Sequence, residues 1–415
     1  MKNKGLHDIY YRFPSDFPLP FILDGATGTA LMKSGMPKGV STEEWVLEHP
    51  DSIKKIQREY IRAGSDAIYS PTFGANRAVL SRHDIKKDVS EINRSLLSLS
   101  KAAVKAQGEN SGSRCRIGGD MSPTGCMLEP FGDTTFDEVA DIYAEQAAAL
   151  ADAGADFICI ETGISLQEAR AAVIGTKSVT ALPVFVTLTF DETGRTMSGD
   201  TLAAAIVTLA NLGVCAVGAN CSSGPEDMLT LLAQAAKYGA AYGIPLIAKP
   251  NAGMPHTDDE GNTSFDLSPD EFAPYTKKFL EAGIFVLGGC CGTDHRYISL
   301  IRKTADQFAL TEAPDYLREA QNISPEFLAA NNRIVCDIRH AKKNKSPIAT
   351  DDSFFDAVTT AQENGIEILH INVTPSGAEI LLENEFFLSV PIMLSGDEKE
   401  IAIICRRYNG HPIVL

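Results

Sequence analysis

A chain of 415 residues is longer than one ordinary core needs, so a large domain plus a smaller one is expected. The 44% hydrophobic and 22% charged content is that of a soluble globular protein, and no apolar run approaches the roughly 20 residues that span a bilayer. The formal charge of −17 repels phosphate backbones and anionic lipid, which argues against nucleic acid and membrane surfaces as partners.

Met1 to Pro20 is polar and carries prolines without an apolar h-region, so a cytoplasmic location is expected. In that compartment the nine cysteines are free thiols rather than disulfides, and they need another reading.

From Phe21 to about Ala309, short apolar runs alternate with helix-patterned stretches. Phe21–Asp24 is predicted as a strand and Ile53–Ala63 as a helix. Asp66–Ser70 is a strand, then Val89–Ala106 a helix. Cys115–Asp120 and Phe157–Ile160 are strands, each followed by a helix, Phe136–Ala153 and then Leu166–Thr176. Strand Val184–Thr189 precedes helix Thr201–Leu212, and strand Val214–Ala219 precedes helix Pro225–Lys237. Strand Pro245–Lys249, helix Pro269–Ala282, strand Ile284–Leu287 and a helix starting near Asp294 complete the series.

The strands are runs of Val, Ile, Phe and Ala without alternation, as for parallel strands buried on both faces. Gly64 and Gly154, each before a strand, read as helix C-caps. Eight βα units imply a closed barrel or a doubly wound sheet. No Gly-x-Gly-x-x-Gly follows a strand and opens a helix, which favours the α/β class in its (β/α)8 TIM-barrel form. Residues 1–310 are assigned to this barrel and 311–332 to a linker with short helices. Residues 333–415 form a small α/β domain, with strands at Arg333–Ile338, Ile366–Val373, Pro391–Leu394 and Pro412–Leu415. Helices are predicted near Phe354–Glu363, Ala378–Phe386 and Glu398–Arg407. This tail must bury a sheet face against the barrel or against a partner.

Working residues in a barrel sit where its strands end. Those positions hold Asp24, Thr72, Asp120, Glu161, Thr189, Asn220, Cys221, Asn251, Cys290 and Cys291. Cys221 and the Cys290–Cys291 pair lie on strand tips separated by one strand around the ring. Three thiolates converging there match an open three-cysteine zinc site, and the flanking Gly224, Gly288, Gly289 and Gly292 let backbone wrap closely around an ion. An open all-thiolate site suits alkylation of a bound thiol, whose pKa the metal lowers from about 8.5. Cys115, Cys159, Cys215, Cys336 and Cys405 read as packing residues, and Cys126 has no assigned role. Asp24 and Glu161 share the rim and suit an ammonium group, although a turn residue and a helix-end carboxylate are their plainer readings. Thr72 and Asp120 stay open between structure and function.

The segments Asp24-Gly25-Ala26-Thr27-Gly28-Thr29, Glu161-Thr162, Gly194-Arg195-Thr196, Asn220-Cys221, Pro250-Asn251-Ala252-Gly253-Met254-Pro255 and Gly288-Gly289-Cys290-Cys291-Gly292-Thr293 together resemble the homocysteine S-methyltransferase family. That family includes the homocysteine module of cobalamin-dependent methionine synthase and betaine–homocysteine methyltransferase. The resemblance implies Zn2+ held by Cys221, Cys290 and Cys291, which thereby serve as the catalytic centre. It implies homocysteine held at its amino group by Asp24 and Glu161, and at its carboxylate by backbone near Gly25 and Ala26. Asn220 joins this substrate set. Asn251 matches a position that can lend an oxygen to zinc before substrate arrives. Thr162 and the Pro-Asn-Ala-Gly-Met-Pro segment look more like methionine synthase than like the betaine enzyme.

Phe355 to Leu394 looks similar to the opening of the pterin-binding domain of methionine synthase, with Asn364-Gly365 and His370-Ile371-Asn372 at its motif positions. Leu394-Ser395-Gly396 stands where that domain has an acidic residue, so the tail resembles a truncated, degenerate version. No Asp-x-His-x-x-Gly corrinoid motif is present. The expected reaction is methyl transfer to homocysteine giving methionine. The donor is supplied in trans, on a separate corrinoid or folate-binding protein or as another methyl compound. Two rivals stay open: another thiol or the demethylation direction at the same zinc, and a non-catalytic zinc barrel that docks a corrinoid or pterin protein.

Overall fold

The computed structural model describes residues 4–107, 115–257, 263–309 and 314–415. Eight parallel strands surround a common axis: β1 (Phe21–Ile22), β2 (Ala67–Tyr69), β3 (Arg116–Met121), β4 (Phe157–Gly163), β5 (Val184–Leu188), β6 (Ala216–Asn220), β7 (Leu246–Lys249) and β8 (Ile284–Leu287). Their hydrogen-bonded order, β1–β8–β7–β6–β5–β4–β3–β2, sets each strand beside its neighbour in sequence, which is a (β/α)8 barrel. The β1–β2 seam is closed largely by side chains. Asp66 N donates to Ile22 O (2.7 Å), Ile22 N donates to Asp66 Oδ2 (2.8 Å), and Tyr69 N donates to Asp24 Oδ2 (2.7 Å).

Helix ends follow local chemistry. Thr135 and Ser268 open their helices with capping boxes to Glu138 and Glu271. Gly64 and Gly154 end theirs at φ of 101° and 85°, in the left-handed region that favours glycine. Phe13 and Phe17, ahead of β1, plug the floor of the barrel. They pack on Phe21, Phe157 and Phe185, all near the N-terminal ends of their strands, with Phe17 and Phe21 stacked at 5.1 Å and Phe157 and Phe185 tilted by 35° at 4.7 Å. The loops also carry elements without a periodic signature: helices Thr27–Lys33, Thr42–Glu48 and Arg77–Arg82, and a hairpin pairing Pro255–Thr257 with Thr263–Phe265.

Beyond the barrel, β9 (Leu328–Ala330) pairs antiparallel with β10 (Val335–Asp337). A second parallel sheet follows in the order β11 (Ile348–Ala349), β12 (Leu369–Val373), β13 (Ile392–Gly396) and β14 (Ile413–Val414). The strand predicted at Arg333–Ile338 is therefore not part of that sheet. It folds back on residues taken for linker, because the Asn331 side chain accepts from the backbone of Arg333 and Ile334 and makes the turn. Helices Phe354–Glu363, Gly377–Glu383 and Glu398–Arg407 cover one sheet face with Phe354, Leu381, Ile401 and Ile404. The tail also docks on the barrel. Leu328 and Ala330 join the barrel core, Arg170 donates to the carbonyls of Cys405 and Arg406, and Asn332 donates to Asp200. Among the described residues no helix is long and apolar enough to cross a membrane.

Candidate metal centre and substrate pocket

Strands β6 and β8 flank β7 in register, with Asn220 opposite Lys249 and Leu287 opposite Ala248. Past the strand ends the loops are laced together by backbone. Cys221 N donates to Lys249 O (3.2 Å), Asn251 N to Ser223 O (3.1 Å), Cys290 N to Pro250 O (2.8 Å) and Ala252 N to Cys291 O (2.9 Å). This lacing brings the three predicted cysteines together. Their sulfurs lie within 4.8 Å of one another, with Cys221 and Cys291 at 3.9 Å. A tetrahedral zinc with Zn–S bonds of about 2.3 Å needs sulfurs about 3.8 Å apart, so the donor set and its spacing fit the ion. With three thiols this close, one ionises first. Cys221, accepting hydrogen bonds from Cys290 and Cys291, is pulled down to about 3. Cys290, donating to Cys221, is raised to about 11, and Cys291 is raised as well.

The glycine reading of these loops holds in part. Gly292 has a φ of 84°, and a Cβ on Gly289 would sit 2.3 Å from Thr293 Oγ1. Gly253 in the β7 loop is left-handed as well (φ 92°), but three further left-handed residues at the mouth are not glycines. Cys221 and Ser222 have φ of 62° and 59°, and Thr162 across the rim has 62°. A β-branched residue there is an outlier costing about 1–3 kcal/mol, so its surroundings must hold it. Asn220 does so. Its Oδ1 accepts from Thr162 N (3.0 Å), and its Nδ2 donates to Thr162 Oγ1 (2.8 Å) and towards Cys290 Sγ (3.8 Å). One amide thus ties the β4 tip to a cysteine of the cluster. The Thr189 hydroxyl bonds that of Ser222, and the buried Asn251 Oδ1 has no hydrogen-bond partner among the described residues.

Beneath the sulfurs lies a charged layer. Glu161 and Asp24 both face one residue that the strand-tip reading left out, Lys249, the last of β7. Its Nζ lies 2.6 Å from Glu161 Oε1, 3.6 Å from Asp24 Oδ1 and 3.7 Å from the centroid of the Tyr69 ring. Burial alone would depress this ammonium, but Glu161 and Asp24 carry its pKa upward. Burial raises Asp24 to about 6 and raises Glu161, against the pull of Lys249 in both cases. Asp120 is also buried in this layer, with its carboxyl raised well above the usual range by burial first and by Glu161 second. The missed signal was a lone charge closing the strand Leu-Ile-Ala-Lys, on the face that points into the barrel.

The remaining candidates fall into structural places. Ala26 N already donates to Thr293 Oγ1 (3.2 Å), and Ala26 O accepts from Tyr60 (2.8 Å). A Cβ on Gly25 would meet the Tyr60 ring at 2.9 Å, so only glycine lets the chain pass there. Thr72 is wholly buried and donates to Asp120 O (2.8 Å), a packing role. Cys115 and Cys159 are buried packing residues, and Cys126, Cys215, Cys336 and Cys405 are half-buried thiols away from the cluster.

The family model described as homocysteine S-methyltransferase matches residues 21–305. A methionine synthase of Mycobacterium tuberculosis is 32% identical over 304 residues, covering 70% of this chain and 25% of that protein. One from Mycobacterium leprae is 32% identical over 286 residues, covering 66% and 23%. The chain thus spans about a quarter of the length of these curated relatives. Among solved structures, the metallated form of the homocysteine methyltransferase MmuM from Escherichia coli superposes with a TM-score of 0.59 at 21% identity. That match covers 72% of this chain and 99% of MmuM, and it shows the same fold. With its motifs, its barrel and its cysteine cluster in one order along residues 21–305, this chain belongs to the homocysteine S-methyltransferase family.

Proposed function

We propose that this chain transfers a methyl group to the thiol of homocysteine, giving methionine, with zinc held by Cys221, Cys290 and Cys291. The convergence of those three sulfurs at the barrel mouth carries the reading. Bound there, zinc supplies Lewis acidity that lowers the pKa of an incoming thiol, so that a thiolate exists at neutral pH.

The residues of the chain do the rest. Asn220 steers Cys290 and holds Thr162 in place. Asn251, whose side-chain oxygen has no hydrogen-bond partner among the described residues, is read as an oxygen ligand to the metal before substrate arrives, and the backbone near Gly25 and Ala26 as the place for the substrate carboxylate. The acidic layer around Lys249 meets an amino group. Held at both ends, the substrate sulfur is presented in near-attack geometry. The ionised sulfur attacks the methyl carbon in line. A C–S bond forms, and the electron pair of the broken methyl bond leaves with the donor.

The donor comes from outside this barrel, on a corrinoid or folate-binding protein or as another methyl compound. The exposed apolar side chains of Phe73, Met127, Phe131, Met197 and Met254, on loops following β2, β3, β5 and β7, support a large donor lying over the mouth. Residues 1–310 are read as the catalytic unit, 311–332 as a linker and 333–415 as an accessory unit. Free thiols at the centre suit a reducing compartment such as the cytoplasm.

The test is metal analysis of the purified protein, together with methionine formation from homocysteine with free methylcobalamin as surrogate donor. One zinc per chain and turnover are expected. A Cys290→Ala variant that keeps both its zinc and its activity rejects the proposal.

A further inference from the structure

The resemblance places the substrate's ammonium between Asp24 and Glu161, yet in this chain an ammonium is already there. Lys249 Nζ sits between the two carboxylates, 96% shielded from solvent at its side chain, and lies over the Tyr69 ring. Asp24 is committed elsewhere as well. Its Oδ2 takes the Tyr69 N–H that closes the barrel seam, its Oδ1 has no hydrogen-bond donor among the described residues but faces the Lys249 ammonium as an ion pair at 3.6 Å, and its side chain is only 1% exposed. Glu161, 12% exposed, is the member of the pair that still reaches the mouth.

On the neighbouring strand β3 stands Asp120, paired with Cys159, two residues before Glu161. Asp120 is 5% exposed, and its Oδ1 has no hydrogen-bond partner among the described residues. A buried carboxylate oxygen left without a donor is unfavourable unless a ligand supplies one. An ammonium is a donor-only group with three N–H bonds, the complement of two carboxylates that each have acceptor capacity left. The charges agree in sign. Three carboxyl groups, Asp24, Asp120 and Glu161, share this layer, and among the described residues Lys249 is the one cation acting on all three, so the layer stays acidic enough to receive an ammonium.

We propose that this chain holds the amino group of its thiol substrate between Glu161 and Asp120, with Lys249 seated on Asp24 as the internal counter-ion that moves the amino site across the barrel. The proposal rests on the thiol-methyltransferase reading above and assigns Asp120 as its specificity-determining residue. Asp24 then acts through Lys249, as a positioning residue, and makes no contact with the substrate.

The experiment titrates zinc-loaded protein calorimetrically with two thiols, homocysteine and 4-mercaptobutanoate, which differ only in the amino group. Wild type is expected to bind homocysteine at least ~10-fold more tightly, the scale of one charge-assisted hydrogen bond. Asp120→Asn is expected to abolish that preference while leaving the affinity for 4-mercaptobutanoate within about 2-fold. Asp24→Asn is expected to weaken both thiols alike, because it loosens Lys249 and the seam. Retention of the homocysteine preference in Asp120→Asn, or its selective loss in Asp24→Asn, overturns the assignment. Asp120→Ser repeats the measurement with a smaller side chain, and unchanged binding of the amine-free thiol certifies the fold of either variant. Failure of wild type to bind either thiol overturns the thiol-substrate reading itself, an outcome distinct from binding with the wrong amino site.

Discussion

The floor and the mouth of this barrel are built by the same eight strands and obey opposite rules. At the floor, Phe13, Phe17, Phe21, Phe157 and Phe185 fill the bore with rings 4.7 to 6.4 Å apart, and the pattern is apolar throughout. At the mouth the same strands end in carboxylates, a lysine and thiols. There, oxygens of Asp24, Asp120 and Asn251 lack hydrogen-bond partners among the described residues, and three non-glycine residues lie in the left-handed region. A region with unmet acceptors and strained backbone has been shaped for something other than stability. The floor supplies the rigidity on which that strain rests.

The sharpest way to break this contrast is to remove a thiol. Cys221→Ala is expected to lose zinc and to lower methionine formation by on the order of 1000-fold, equivalent to several kcal/mol of lost stabilisation. The thermal stability of the metal-free protein should barely change, because no core packing is lost. Phe185→Ala should do the reverse. Its ring is wholly buried, so the variant is expected to lose about 3–5 kcal/mol in denaturant unfolding while binding zinc as wild type does. If the floor variant loses zinc affinity in parallel with stability, the two regions are not separable.

Part of this division was legible in the sequence and part was not. The strands were, because β-branched runs between glycine-capped helices leave a parallel barrel few alternatives, and the strand tips then named Cys221, Cys290 and Cys291. Lys249 was not. A residue that ends a strand and one that begins the next loop differ by a single register step, and only the fold shows that its side chain turns inward between Asp24 and Glu161. The turn at Asn331 was hidden for a similar reason. Its side chain hydrogen bonds decide that the segment doubles back, and no periodicity reports them. The strain at Cys221 and Ser222 also escaped, since glycine was the expected carrier of positive φ.

The seam of the barrel sharpens the comparison through pH. Burial raises the Asp66 carboxyl from its ordinary value of 3.8 to about 6, against its bond from Ile22 N and its ion pair with Arg302. The folded protein therefore binds the proton more tightly than the unfolded chain does. The associated stability is fully present below about pH 4 and is lost as pH rises through about 6. A shift of this size amounts to about 3 kcal/mol across that window. Asp66→Asn keeps an oxygen for Ile22 N and is expected to flatten the pH dependence between 4 and 6. Asp24 shares the window and leaves a residual slope. An unchanged slope in Asp66→Asn would show that the seam does not carry it.

A smaller effect is expected one layer away from the metal. Asn220→Ala removes the amide that links Thr162 to Cys290, and the zinc affinity measured by chelator competition should fall about 10–100-fold, as for the loss of a residue that orients a ligand. The fold should survive, since β6 keeps its ladder to β5 and β7.

The smallest effect tests the strain directly. Ser222 sits at a φ of 59°, where a side chain costs roughly 1–2 kcal/mol and glycine sits at no cost. Ser222→Gly relieves that strain but frees the unfolded chain and removes the bond to Thr189, offsetting terms that leave a net gain of about 0.5–1 kcal/mol. The variant is expected to unfold at a slightly higher denaturant midpoint. The loop beside Cys221 should also bind zinc more weakly, because a backbone that no longer prefers one conformation must be ordered when the metal arrives. A variant that is both more stable and tighter for zinc would mean that the positive φ at the mouth is incidental and that the contrast with the floor is one of composition alone.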